Sequence, residues 1–236
     1  MNRSDQAFVL HTRPYRESSQ VVSLFSRDNG RFSAVSRGAR GRAKGTPLQP
    51  FCLLQTAWHG KSELKTLTCA EILEARILQG NKLYVGLYLN ELLTRLVHEN
   101  EPHSDLFQHY GFLVDKLATE NDIEPLLRIF EFNLLQDLGY GFALDTDATS
   151  GEPVAPDLDY MFLPGEGMVL ANGRTGSAAI AGKHLSAMAA GDFADAAVRL
   201  SAKRLARAAL APHLGRKPLV SRELFRGAVS GSGAPS

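Results

Sequence analysis

The hydrophobic period of this chain changes once, and that change limits the folds open to it. Up to about residue 80, apolar residues come in short runs rich in Val, Phe, Leu and Thr, at 7–11, 20–26, 31–37, 50–58 and 64–70. From Leu83 onward, Val85, Leu89, Leu92, Leu93, Leu96 and Val97 recur at spacings of three and four, which puts them on one helical face. A chain that switches from strand period to helix period is expected to build a β unit and then an α unit. The β unit comes first. Arg27-Asp28-Asn29-Gly30 is a hairpin signal, because Asn-Gly accepts the positive φ of tight turns. Five short strands in about 70 residues fit a small closed barrel, which removes exposed sheet edges. An SH3-like barrel gives much the same pattern, so periodicity alone leaves the topology open.

The helical part is expected to open at about residue 83 and to close its first helix at Glu101-Pro102, since a residue before proline avoids the α region. Further helices are expected over 104–118 and 125–138, the latter ending at Gly139. Residues 145–178 break the pattern with many glycines and prolines and read as a turn-rich excursion, with Met161, Phe162 and Val169 among its few anchors. Helices resume over 182–190 and 193–211, broken at Pro212, and a short one over 221–228 precedes a flexible tail, 230–236. The expected class is α+β: domain 1–80, a five-stranded barrel, and domain 81–236, helical with a long insertion.

Net charge near zero hides a strong segregation. Residues 1–80 carry +6, residues 81–160 carry −11 and residues 161–236 carry +6. Two basic regions flanking an acidic one suggest separate surfaces for separate partners. The densest cluster is Arg27, Arg31, Arg37, Arg40, Arg42 and Lys44, six cations within 18 residues on a turn, a strand and a glycine-rich loop. Guanidinium forks match phosphate oxygens, so this cluster is the expected nucleic-acid contact, with Arg13 and Arg16 extending it. Phe32 and Phe51 read as core. A second basic set, Lys203, Arg204 and Arg207, shares a predicted helix.

Enzyme signatures are missing. Lys44 in Gly41-Arg42-Ala43-Lys44-Gly45 lacks the hydroxyl residue that a phosphate-binding loop places directly after its lysine. The seven histidines show no metalloprotease spacing, and two cysteines cannot make a thiolate zinc cluster. The reading is a non-enzyme with no metal and no cofactor. Met1-Asn2-Arg3-Ser4-Asp5 has no secretory h-region, and no stretch approaches 18 apolar residues, so the cytosol is expected and a membrane is not.

Several ordered segments resemble one known family, the RecO proteins of bacterial DNA repair and recombination. They are the opening 6–19, Gly38-Ala39-Arg40, Tyr88-Leu89-Asn90-Glu91-Leu92-Leu93, Glu99-Asn100-Glu101-Pro102 and the segment 130–140 ending Leu138-Gly139-Tyr140, with the closing segment 213–225. The resemblance implies an N-terminal OB-fold, a helical domain and no catalytic residue. It also implies binding of single- and double-stranded DNA, annealing of complementary strands and contact with the C-terminal tail of single-strand-binding protein. It further implies action with RecR to load RecA, in the cytoplasm at the nucleoid. Many members carry a four-cysteine zinc module after the Leu-Gly-Tyr segment. Here Asp147 and Ser150 stand at the places resembling its first cysteine pair, so the chain resembles a zinc-free branch. For the acidic tail peptide, the expected site is Lys203, Arg204 and Arg207 with Arg128, and apolar lining from Phe132, Leu200 or Leu210. The alternative is a non-enzymatic module that binds RNA or protein, since composition cannot separate RNA from DNA.

Overall fold

The structure, a computed structural model, describes residues 3–37, 48–60, 62–173 and 178–224. The chain forms two compact units: residues 1–120 together with 217–236, and residues 121–216. Among the described residues no helix is long and apolar enough to cross a membrane.

The first unit opens with β1 (Arg3–Tyr15), β2 (Ser19–Ser26), β3 (Gly30–Ser36), β4 (Leu53–His59) and β5 (Leu64–Glu74), closed into a barrel in the order β1-β2-β3-β5-β4. All pairs are antiparallel except β3 with β5. This is the five-stranded barrel the strand period predicts. Alternation fills its interior with Val9, Val22, Leu24, Phe32, Leu54 and Trp58. The Phe32 and Trp58 rings lie 4.5 Å apart. β1 is much longer than the predicted run at 7–11 because its two halves pair with different strands, Arg3–Phe8 with β4 and Ala7–Tyr15 with β2.

The predicted Asn29-Gly30 turn is real, and a buried acid organises it. The Asp5 carboxylate accepts from the Asp28 N–H (2.7 Å), the Asn29 Nδ2 (3.0 Å) and the Ser26 hydroxyl. Gly30 is obligatory for two reasons. Its φ is +68°, and a Cβ there would come within 2.0 Å of the Glu101 carbonyl oxygen.

Two helices belong to the same unit, α1 (Gly80–Leu96) and α2 (Ser104–Thr119). Phe8 on the barrel's outer face meets Phe107 and Tyr110 of α2, each at 4.9 Å between ring centres. The register of β1 against β2 slips between Val9 and His11. Leu10 sits at this bulge, and the buried Asn90 of α1 donates to its carbonyl at 2.7 Å. The loop between the helices returns to the barrel, where the Asn100 N–H donates to the Arg31 carbonyl.

After residue 216 the chain comes back to this unit and docks on α1. Arg95 donates to the carbonyls of Lys217 and Pro218, each at 2.6 Å. The Glu91 carboxylate accepts from the Val220 N–H, the Ser221 N–H and the Ser221 hydroxyl. Burial alone pushes the Glu91 pKa up, but the bonds from Ser221 and Val220, with Arg95 beside them, leave it below the usual carboxylate range.

The second unit comprises α3 (Glu124–Asp137), β6 (Asp159–Leu163), β7 (Gly167–Leu170), β8 (Ile180–Ala181), α4 (Gly182–Ala189) and α5 (Ala196–Leu214). The turn-rich excursion therefore contains a small antiparallel sheet, ordered β7-β6-β8. Tyr160, Met168 and Ile180 pin it to Leu185 and Leu205 of the helices. Pro212 does not break α5, which continues to Leu214 with the proline in its last turn.

The loop around Asp147 is held by hydrogen bonds. Asp147 Oδ1 accepts from the N–H groups of Thr149 (2.7 Å) and Ser150 (3.1 Å), and Oδ2 from Leu170 on β7 (3.0 Å). The bonds from Thr149 and Ser150 hold its pKa below the usual carboxylate range. A depressed pKa contributes stability that is complete above the unfolded value, near 4, and is lost as pH falls through the folded value. Asp147→Ala is therefore expected to speed hydrogen exchange at the Thr149, Ser150 and Leu170 amides at neutral pH. Unchanged exchange in NMR spectra of that variant would show that packing alone holds the loop. Among the described residues, no three His, Cys, Asp or Glu side chains gather in metal-binding geometry.

Candidate nucleic-acid interface

Pairing parity assigns every strand residue of the barrel to its inner or outer side. Thr12, Val22 and Ala34 form an inward row, so the next row, Arg13 with Val21 and Val35, faces outward. Two residues on, Tyr15 pairs with Ser19, and Arg37 follows β3 at the same level, since Gln20 pairs with Ser36. The outer faces of β1, β2 and β3 thus meet at one end of the barrel, with Arg13, Arg16 and Arg37 all exposed there. Glu17 is the acid on the same turn. The same side of these strands also carries Ser19, Ser23 and Ser33. At the opposite end, the same outer face is covered, where Phe8 and Phe25 pack on α2.

The six cations read from the sequence do not share one place. Arg37 stands at the open end. Arg40, Arg42 and Lys44, which follow it, lie outside the described residues. Arg27 lies at the far end of the hairpin and pairs with Asp28 at 3.2 Å, an exposed contact. Arg31 is tied down: its Nε donates to the Val97 carbonyl at 3.0 Å, its Nη1 meets Glu99 at 3.0 Å, and its side chain is only 15% exposed. It joins the barrel to the end of α1. Arg13 and Arg16, 24 and 21 residues before it in sequence, are the cations that pairing brings to the end of the barrel where Arg37 stands. Phe32 and Phe51 are both core.

One further cation points the other way. Lys65, 8% exposed, lies 5.3 Å from the Phe32 ring centre and donates to Asn100 Oδ1 at 2.7 Å. Burial pulls its pKa down, partly countered by Glu99. It closes one end of the barrel and is no phosphate ligand.

In the second unit, Leu200, Lys203, Arg204 and Arg207 fall at i, i+3, i+4 and i+7 of α5, a single stripe opposite the buried Val198, Ala202, Leu205 and Ala209. Leu200 is 59% exposed, an apolar residue flanked by cations. Lys203 reaches Glu124 at 3.4 Å, and Arg204 donates to the Ala179 carbonyl at 3.1 Å. Arg207 is exposed. Arg128 offers no such surface, being buried and paired with Glu131 at 2.6 Å. Leu210 is core and Phe132 packs against Phe142.

Comparison with known proteins finds one family along the chain. The family model described as "Recombination protein O N terminal" matches residues 1–76, and "Recombination protein O C terminal" matches residues 78–223. A DNA repair protein RecO from Haemophilus influenzae is 48% identical over 223 residues, covering 93% of this chain and 94% of that protein. One from Pseudomonas aeruginosa is 47% identical over 220 residues, covering 92% of each. Another, from Stutzerimonas stutzeri, is 48% identical over 220 residues, covering 93% and 92%.

Proposed function

The chain belongs to the RecO family of DNA repair proteins, and from that premise we propose that its part in repair is to bind DNA strands and bring them together without chemistry of its own. The observation that carries this reading is the open outer face at the β1–β2–β3 end of the barrel, where Arg13, Arg16 and Arg37 are exposed. Arg40, Arg42 and Lys44 follow Arg37 in sequence and add three cations to the same stretch of chain. Phosphate contacts carry no base code, so affinity depends on salt and only weakly on sequence. The track takes single- and double-stranded DNA alike. Arg27 and Arg31 are left out of it, for the reasons their pairing supplies.

Two complementary strands repel each other through their phosphates. A basic platform that neutralises both lowers that barrier, which is annealing by charge and not by hydrolysis. In the same reading the protein loads RecA onto strands coated with single-strand-binding protein, acting with RecR at the nucleoid. The acidic tail of the coating protein sits on the α5 stripe, its hydrophobic end against Leu200 and its carboxylates on Lys203, Arg204 and Arg207.

The test is the annealing of complementary oligonucleotides carrying a fluorophore and a quencher, with no nucleotide present. The expected result is an accelerated loss of fluorescence that fades as salt rises. No acceleration, or acceleration only with ATP, would contradict the reading. Matched RNA strands in the same assay decide the alternative, because a binder made for RNA anneals RNA faster.

A further inference from the structure

We infer that Tyr15 is a stacking platform for an unpaired nucleobase and so gives this barrel a means of telling single strands from duplex; the inference rests on the DNA-binding reading above. Four non-glycine residues among those described have positive φ: Arg16, Phe51, Asn100 and Asn172. Two are asparagines, which visit this region readily. Phe51 is buried, and its N–H donates to the Val9 carbonyl at 2.9 Å, so the pairing at the barrel wall accounts for it. Arg16 takes it up in the short turn 16–18 that joins β1 to β2. It is an exposed arginine at φ +52°, on a turn joining two strands. Backbone conformations of this kind cluster at ligand clamps and switch regions.

What the turn places is a cation over a ring. The Arg16 guanidinium carbon lies 5.2 Å from the centre of the Tyr15 ring. Tyr15 is half-buried, on the outward row of β1, with Ser19 as its cross-strand neighbour and Arg13 two residues before it on the same face. Serine is too small to cover an aromatic ring. The ring therefore has a guanidinium at one side and phosphate-binding arginines on both flanks, Arg13 and Arg37.

An aromatic ring among arginines recognises the flat face of a base joined to phosphates. In a duplex those faces are stacked on their neighbours and cannot reach Tyr15, whereas in a single strand they can. The arginines serve both forms; the ring serves one. The contact is indifferent to base identity, because every base has a π face.

Three substitutions test this by fluorescence anisotropy, with oligo(dT) and a duplex of equal phosphate number as probes. Tyr15→Ser is expected to weaken oligo(dT) binding roughly 5- to 100-fold, from the usual range for one stacked base, with duplex binding changed less than about 2-fold. Tyr15→Phe, which keeps the ring, is expected to bind oligo(dT) within about 2-fold of the parent protein. Tyr15→Trp adds an emitter at the site, since Trp58 is buried inside the barrel, and the added emission is expected to be quenched by oligo(dT) but not by the duplex. If Tyr15→Ser weakened both probes equally, the ring would be supporting the turn and the inference would fall. It would fall equally if oligo(dT) binding were unchanged, or if the emission of the Tyr15→Trp variant did not respond. A parent protein that bound neither probe would overturn the DNA-binding reading itself and this inference with it.

Discussion

Replacing Asn90 with alanine is expected to cost the barrel unit about 2–6 kcal/mol, because it leaves two buried groups without partners at about 1–3 kcal/mol each. Asn90 is 4% exposed. Its Nδ2 donates to the Leu10 carbonyl at 2.7 Å, and its Oδ1 accepts from the Tyr110 hydroxyl at 2.6 Å. Burial pushes the Tyr110 pKa far above its ordinary value, so the phenol remains a donor across the working pH range. Domain stabilities are only about 5–15 kcal/mol, so the loss is a large part of the whole. Urea unfolding followed by the emission of Trp58 reads it directly, since that single tryptophan lies inside the barrel. Tyr110→Phe is expected to cost less, and the double variant less than the sum of the two, because each single change strands a group that the other removes. A change below about 0.5 kcal/mol for Asn90→Ala would mean that the helix does not bond to the bulge.

The sequence made the barrel legible because its strands alternate and its main turn is Asn-Gly. It did not show what the turn rests on. Asp5 reads as one more polar residue near the start, yet its carboxylate holds Ser26, Asp28 and Asn29 from across the sheet. Nor could it show that Gly30 must make room for Glu101, a contact across 71 residues that no local pattern carries. In the second unit, a two-residue strand such as β8 is shorter than any period, and the sheet of the excursion is held together by scattered residues, Tyr160, Met168 and Ile180. Pro212 misled because a proline close to a helix end removes one bond without stopping the last residues.

The cationic site was legible in part. Closeness in sequence is not closeness in space along a strand: Arg31 and Arg37 are six residues apart, about 20 Å at the rise of a β-strand. Closeness across strands is set by register instead. The Asn29-Gly30 turn contains that register, since with Ser26 opposite Gly30 the position opposite Arg37 is Ser19, next to the turn that holds Arg16. Counting outward from the hairpin puts Arg37 opposite Ser19, and the β1–β2 pairing then puts Arg13 and Arg16 near it; counting charges along the chain names all three without showing that Arg27 and Arg31 fall elsewhere. The engagement of Arg31 with Val97 and Glu99 had no signal at all, because its partners come from the end of a helix 66 residues on.

If the open end of the barrel is the phosphate track, the salt dependence of single-strand binding must rest on its arginines. Each phosphate neutralised on a single strand adds about 0.7 to the slope of log affinity against log salt. Arg13→Glu with Arg37→Glu removes two such contacts and adds two repulsions. This double variant is expected to bind oligonucleotides of any sequence roughly 30-fold or more weakly at low salt, with a slope shallower by about 1.4. Arg27→Glu, at the other end of the hairpin and already paired with Asp28, is predicted to stay within about 3-fold of the parent with its slope unchanged. A double variant that kept the parent's affinity and slope, or an Arg27→Glu variant that lost both, would show that the phosphates run elsewhere.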